Sequence, residues 1–488
     1  MTDRYFVVIP SGCEESFPGC DDKNVKLHHY PRFRFLVSSY NPRPKTRTTK
    51  QLTPASPLDF FEAACKRFFQ QPAPGMQLSR NTVLLLCAAV VTMTSIGMHS
   101  FTLFLRPIES DFGWSRTMVT IPYMFAMLGW GTGAVLFGKL ADDLGARRVI
   151  LGGILLMGAG FFGMSISQNL WQLSLSFGIM VGLAMGACGL VIISLLVSKH
   201  YDAKNRGLAV SVIQTAAPLS PLLFAPAIYF LIKTFDWRAA ALASSILLFT
   251  AAFPLAWLGA RDPAGILTSR HKRAGWGSCL PYLRNRSMLL MFAARFSCGV
   301  AFFQSAHLVA IALSKGFDAA TGAIALGVFG GAAAASALLF GWLSDHYGRV
   351  RVLALSYLVR GLGTLVLVLD IPSEIFFYVI VALSMGPTFG TITVQNVLFY
   401  EIVGPRIAGL ILGVSFIVHQ IGSAGGPMLA SIVFDMTGSY DGFMLAMGMI
   451  LLASAALIHS TINSDMRLSE PAKRSVGSWT SNEKRGLS

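Results

Sequence analysis

The chain has 488 residues, 53% of them hydrophobic and only 13% charged, against about 25% charged in an average soluble domain. That balance excludes an ordinary soluble protein and describes a chain that crosses a membrane many times. Its net charge of +15 would suggest nucleic acid in a soluble protein; here the basic residues lie in loops and tails, as orientation signals and contacts with anionic lipid headgroups, and no nucleic-acid partner is expected.

Residues 1–75 are polar, proline-bearing and mixed in charge, and no apolar core of the signal-peptide kind follows the start. A disordered extension is expected there, with a short amphipathic piece near Phe60 to Phe69. Met76 stands immediately before the first apolar run and is an alternative beginning. A span needs about 20 mostly apolar residues. On that measure helices are expected at 82–105, 117–138, 148–167, 170–197, 206–232 and 238–259, then at 287–312, 320–342, 351–370, 373–398, 406–434 and 441–461. The expected domains are a six-helix bundle over 76–260, a hydrophilic central loop over 261–286, a second six-helix bundle over 287–462 and a tail over 463–488.

With the amino terminus inside, the loops on that side hold 15 basic residues: Lys139, Arg147, Arg148, Lys199, Lys204, Arg206, Arg261, Arg270, Lys272, Arg273, Arg284, Arg286, Arg349, Arg351 and Arg406. The opposite loops hold 5, namely Arg106, Arg116, Lys233, Arg238 and Lys315. This bias places both termini in the cytoplasm, and the plasma (inner) membrane is the expected location. Seven cysteines are scattered and never in C-x-x-C spacing, so neither a disulfide framework nor a metal site is expected.

The stretch Gly138 to Arg148, GKLADDLGARR, returns 203 positions later as Gly341 to Arg351, GWLSDHYGRVR. Both copies follow a long apolar run and are short, charged and glycine-punctuated, as a tight turn between two membrane helices requires. The chain is therefore two related halves. The pattern G-x-L-x-D-x-x-G followed by basic residues resembles the loop between helices two and three of the major facilitator superfamily, with its second copy between helices eight and nine. The resemblance covers residues 80 to 460 and implies an all-α fold of twelve transmembrane helices in two six-helix bundles. The halves match again where Arg206 opens the fifth span and Arg406 the eleventh. Pro218, Pro221 and Pro226 in the fifth, and Gly422, Gly425, Gly426 and Pro427 in the eleventh, are breakers at matching depths. Both helices are expected to bend or unwind along a solvent-lined seam.

No P-loop, G-x-S-x-G, H-E-x-x-H or dinucleotide fingerprint occurs, so neither an enzyme nor an ATP-driven pump is expected, and no cofactor. A gradient-driven transporter remains. Charges inside spans are costly and usually functional. Arg295 in the seventh span and Arg360 in the ninth have no mid-span Asp or Glu to neutralise them. An unpaired guanidinium can receive a substrate carboxylate through two parallel hydrogen bonds; the competing reading is snorkelling to the membrane surface or bonding to carbonyls. His99, His307 and His419 also lie in spans. Each can be an ordinary buried hydrogen-bonding residue; if a proton is coupled, His99 or His419 is the carrier by elimination of carboxylates. Gln214, Gln304, Gln395 and Asn396 line the cavity or join helices. Asp142 with Arg148, and Asp345 with Arg351, sit at helix ends where carboxylates meet basic residues or helix amino termini; in the resembled superfamily this is a cytoplasmic latch that favours the outward-open state.

Phe101 to Arg116, FTLFLRPIESDFGWSR, resembles the monocarboxylate porter and oxalate:formate antiporter branch of that superfamily, and Phe235-Asp-Trp-Arg and Ala306-His-Leu-Val fit bacterial members. The branch resemblance implies that His99 occupies the position of a lysine used in substrate and proton binding. The Asp and Arg pair that those porters carry in helix eight is missing from Thr321 to Trp342. The expected function is transport of a small organic anion, a monocarboxylate, by alternating access, through a monomer, with proton symport, exchange and uniport all open. The rivals are efflux of an amphipathic drug-like compound, which would not need Arg295, and a membrane sensor that moves nothing.

Overall fold

A polar side chain that satisfies a free backbone N–H precedes most of the apolar runs. Ser79, Ser115, Asn169, Asp236, Asn285, Asp318 and Ser373 each do so. At Asp318 the Thr321 N–H holds the carboxyl below its usual range. The structure, a computed structural model, describes residues 78–261 and 285–465 together with Tyr282 and three short strands near the amino terminus. Its membrane helices are α1 (Arg80–Phe112), α2 (Arg116–Leu144), α3 (Ala146–Ser165), α4 (Leu170–Ser198), α5 (Asn205–Thr234) and α6 (Trp237–Gly259). The second half supplies α7 (Arg286–Ser314), α8 (Ala319–Tyr347), α9 (Arg349–Val366), α10 (Glu374–Val403), α11 (Pro405–Thr437) and α12 (Asp441–Asp465). Eleven are long and apolar enough to cross a membrane. The exception is α9, whose 18 residues include Arg349, Arg351 and Arg360; it packs among α8, α10 and α12 as a span of the second bundle.

Strands β1 (Val7–Ile9), β2 (Lys26–Tyr30) and β3 (Phe33–Val37) pair antiparallel in the order β1-β3-β2, in a unit separate from the helices. The remainder of the expected extension over 1–75, including the piece at 60–69, lies outside the described residues. So do most of the central loop at 261–286 and the tail beyond residue 465.

The repeat seen in the sequence is a repeat of backbone geometry. Gly145 and Gly348 stand at the starts of α3 and α9 with φ 91°, ψ 144° and φ 90°, ψ 137°, a region that side chains other than glycine avoid. Gly145→Ala and Gly348→Ala are each expected to cost about 1–3 kcal/mol, read as lowered melting temperature of the purified protein. No change in either would mean the turns relax without strain.

Several helices are interrupted within the membrane. The breaks fall at Ser95 and Ser100 in α1, Gly189 in α4, Ala217 and Pro218 in α5, Ala301 and Phe302 in α7, and Met385 to Pro387 in α10. α1, α4, α7 and α10 each open a set of three helices, so every set opens with an interrupted one. The expectation for the fifth helix holds at Pro218; the eleventh does not unwind, because α11 is helical throughout its 33 residues, with Pro427 inside it. Its glycines admit a neighbour. A Cβ on Gly422 would lie 2.9 Å from the Val300 nitrogen, and one on Gly299 would lie 3.1 Å from the Ser423 nitrogen. Thus α7 and α11 cross backbone to backbone, the close approach that small residues permit in lipid.

The same device joins α2 to α4. Cβ atoms on Gly182 and Gly133 would meet the Ala126 Cα and the Leu183 carbonyl oxygen at 2.7 Å, and Gly186 lies directly on Gly133. The first helix also extends past its expected end at 105 to Phe112, where Gly113 at φ 66° stops it. Asp111 there meets Arg238 at 2.5 Å and the Trp237 indole N–H at 3.2 Å, so two short sequence pieces far apart in the chain join α1 to α6. Lys315 and Asp441, 2.9 Å apart, join α7 to α12 in the equivalent place with the charges exchanged.

Candidate functional site

Irregular backbone at membrane depth exposes peptide groups, and it persists where it lines a cavity or finds internal partners. Three of the breaks converge accordingly: Ser95, Gly189 and Ala217 line one cavity of about 30 Å³, with Trp130 and Met98 from the first bundle and Phe389 from the second. No lining residue is charged. The breaks in α7 and α10 meet at a smaller cavity of about 10 Å³ lined by Phe302, Gln304, Phe329 and Met385. The interrupted segments therefore surround the meeting face of the bundles.

The sequence-expected residues divide between two places. Arg295, Arg360, Gln304, Gln395 and His419 are buried in the second bundle. Arg295, 3% exposed, reaches the Gln395 Oε1 at 3.5 Å, and Gln395 in turn donates to the Met291 carbonyl at 2.9 Å. Arg360, 1% exposed, donates to the Cys298 Sγ at 3.1 Å. Gln304 donates to Thr364 at 2.9 Å, and Thr364 donates to the Arg360 carbonyl at 2.7 Å. His419 lies edge-on to Phe302 with ring centroids 5.1 Å apart, and its Nδ1 is 2.9 Å from the Gln420 Oε1. The Nε of each arginine and the Nε2 of His419 have no hydrogen-bond partner. Asn396 is half-buried, one position round from Gln395.

His99 stands on the first bundle and points at the second. Its ring lies edge-on to Phe329 at 5.7 Å and tilted to Phe389 at 6.5 Å.

Two ends of the molecule can be distinguished: the loop end, with the turns at Gly145 and Gly348, and the opposite, far end. At the far end the bundles are tied together. Arg116 at the start of α2 is buried against Glu109, its Nε 2.7 Å from Oε1. It also donates to the Tyr440 hydroxyl at 2.9 Å and lies 3.6 Å above the Phe434 ring. Asp435 of α11 accepts the backbone N–H groups of Arg116 at 3.2 Å and Thr117 at 2.8 Å, so a carboxylate of one bundle caps a helix of the other. One layer below, Thr120 and Ser431 are 2.7 Å apart, and the His307 Nε2 lies 3.3 Å from both. Deeper still, Gln420 donates to the Met127 carbonyl at 3.3 Å.

At the loop end, Asp345 pairs with Arg349 at 2.8 Å, and Arg349 pairs with Glu401. Both partners belong to the second bundle. Arg148 donates weakly to the Leu144 carbonyl at 3.4 Å and is exposed, as is Arg351. Asp142 is half-buried.

Sequence reasoning passed over Trp130, Met98 and Phe389, because an aromatic or methionine in a span reads as packing until its neighbours are known. It also passed over the tie made by Glu109, Arg116, Asp435 and Tyr440, whose members sit at span ends.

Two bundles of repeated topology, interrupted helices around a buried polar centre and one sealed end define a membrane carrier. The chain belongs to the Major Facilitator Superfamily, whose model matches residues 85–427 and 298–484. It is similar to an MFS-type transporter of Bacillus subtilis, YcxA, at 23% identity over 71% of this chain and 87% of that protein. It is 25% identical to mouse monocarboxylate transporter 12 over 76% of this chain and 81% of that one. A gallate transporter of Pseudomonas putida is 23% identical over 57% of this chain and 69% of its own length. Among solved structures, a bacterial homologue of the human lysosomal transporter Spinster, described as inward-facing and unoccupied, superimposes with a TM-score of 0.57. That match has 16% identity and covers 79% of this chain and 97% of the other. The protein is a multi-pass membrane transporter of this family and not an enzyme.

Proposed function

We propose that the protein carries a small organic anion, a monocarboxylate, by alternating access, with Arg295 as its principal charge contact. The observation that carries this reading is Arg295 itself: a guanidinium 3% exposed at mid-span, with one long bond to an amide and an unpartnered Nε. A buried charge of that kind costs several kcal/mol unless an anion joins it, and a carboxylate supplies two charge-assisted acceptors at once. Arg360, Gln395, Asn396 and Gln304 support the second-bundle side of the site, and His99 and His419 are contacts or proton carriers. Two of the similar proteins are named for carboxylates.

Lysine and arginine placement puts the loop end in the cytoplasm. The tied far end then closes the outer side, and Asp142, Arg148, Asp345 and Arg351 belong to the inner gate, where Asp345 pairs with Arg349 of its own bundle. The working unit is a monomer among anionic lipids.

One observation favours the efflux reading: the cavity at Trp130, Met98 and Phe389 has no charged lining residue. The same experiment separates the two. Uptake of radiolabelled monocarboxylates and dicarboxylates into proteoliposomes, with and without an inward proton gradient, is expected to be saturable in the parent and lost in Arg295→Gln. A response to the gradient would select symport over exchange. Unimpaired anion flux in Arg295→Gln would remove the arginine from the site, and absence of anion flux from the well-folded parent would favour efflux of uncharged compounds.

A further inference from the structure

Serine and threonine in membrane helices usually return their hydroxyl proton to a carbonyl one turn back. Here Thr92, Ser95, Ser211 and Thr215 all do so. Ser100 and Ser220 do not. Both are buried, 3% and 1% exposed, and neither hydroxyl has a partner. Ser100 is itself a break in α1, and Ser220 follows the break at Pro218 in α5, so each sits where the helical geometry that would satisfy it is interrupted.

The two serines face the same small cavity, and so does His99, whose Nδ1 and Nε2 are both buried and unpartnered. Apolar residues complete the wall: Phe224 and Ala225 of α5 and Leu326 of α8. The cavity measures about 10 Å³. A single water needs about 10–15 Å³ measured in this way, and two to four polar partners. Four buried polar atoms without partners thus belong to residues that line a space the size of one oxygen atom.

We propose that His99, Ser100 and Ser220 form a binding site for a single oxygen atom, joining α1 to α5 on the first bundle at its meeting face with the second. The hydroxyls donate to that oxygen or accept from it, and the imidazole does the same through the nitrogen its tautomer leaves available. The oxygen belongs either to a resident water or to a carried carboxylate. A resident water hydrates His99 and links it to both serines. A carboxylate oxygen would make the two serines contacts that fix the orientation of the cargo. The site is independent of the role proposed for Arg295, since it rests on groups of the other bundle.

The test is solid-state nuclear magnetic resonance of the full chain in lipid, labelled with ¹⁵N-histidine. The His99 signals are assigned by their disappearance in His99→Gln. Magnetisation transfer from water protons to a His99 ring nitrogen is expected in the parent. It should be lost in Ala225→Val, which fills the cavity and leaves every polar group in place, and weakened in Ser220→Ala. Acetate, lactate and benzoate are then added in turn. Loss of the transfer with any of them assigns the oxygen to the carboxylate, and persistence with all three assigns it to a resident water. Absence of transfer in the parent, with ring shifts unmoved by the three anions and by Ala225→Val, would show a dry packing gap and overturn the proposal. Ser220→Ala, which removes an oxygen and adds no bulk, keeps the test valid if Ala225→Val fails to fold.

Discussion

Arg116→Leu is expected to open the far end of the molecule. The guanidinium holds Glu109 at 2.7 Å and Tyr440 at 2.9 Å and lies over Phe434, so its removal leaves Glu109 to Arg106 alone, 2.6 Å away, and takes away the side-chain contacts that α2 makes with Tyr440 and Phe434 of the second bundle. A hydrogen bond to a charged group contributes about 1.5–3 kcal/mol and a desolvated cation–π contact about 2, together enough to invert a two-state equilibrium that starts with the closed form in tenfold excess. Spin labels at Ser110 and Thr437, exposed on opposite bundles at this end, should move apart in electron–electron distance measurements. Unchanged label distances in the variant would show that the tie holds nothing shut.

The second large effect belongs to Gly186. Its Cα side faces the Gly133 and Ala134 backbone of α2 with no room for a side chain, and a valine there must push α4 away from α2 along the whole contact that includes Gly182 and Ala126. Overpacking costs about 1–3 kcal/mol at an ordinary core position. Here the neighbour is backbone and cannot rotate aside, so Gly186→Val should fall at the upper end or beyond. Size-exclusion chromatography should show little monodisperse protein. Gly152→Ala is the control, since nothing lies within 4 Å of a Cβ at that position, and it should purify like the parent. Normal recovery of Gly186→Val would mean that α2 and α4 separate at little cost.

How far these features could be read in advance depended on whether their cause is local. Twelve spans follow from run length alone, and even α9, with its three arginines, lies where the apolar pattern put it. The repeated turn was legible because a glycine in a region closed to other residues leaves the same trace twice, at Gly145 and Gly348. The interruptions were mostly hidden. Pro218 announces one, but Ser95, Ser100 and Gly189 carry no such mark in spans already rich in small residues. The glycines of α11 misled for the same reason: Gly422 and Gly426 are the residue type of a break and of a close crossing, and only the presence of α7 decides between them. In the site, buried charges such as Arg295 and Arg360 stand out in an apolar run, whereas their partners do not. Cys298 is 62 positions from Arg360, and Tyr440 is 324 from Arg116.

The continuous α11 carries groups of the buried centre and of the far end on one helix. His419 and Gln420 stand at mid-depth, and Asp435 lies roughly 24 Å further along at 1.5 Å per residue, with Pro427 between them. A proline inside a helix removes one backbone hydrogen bond and makes a joint there. A displacement felt at His419 therefore reaches the carboxylate that caps α2 through that joint.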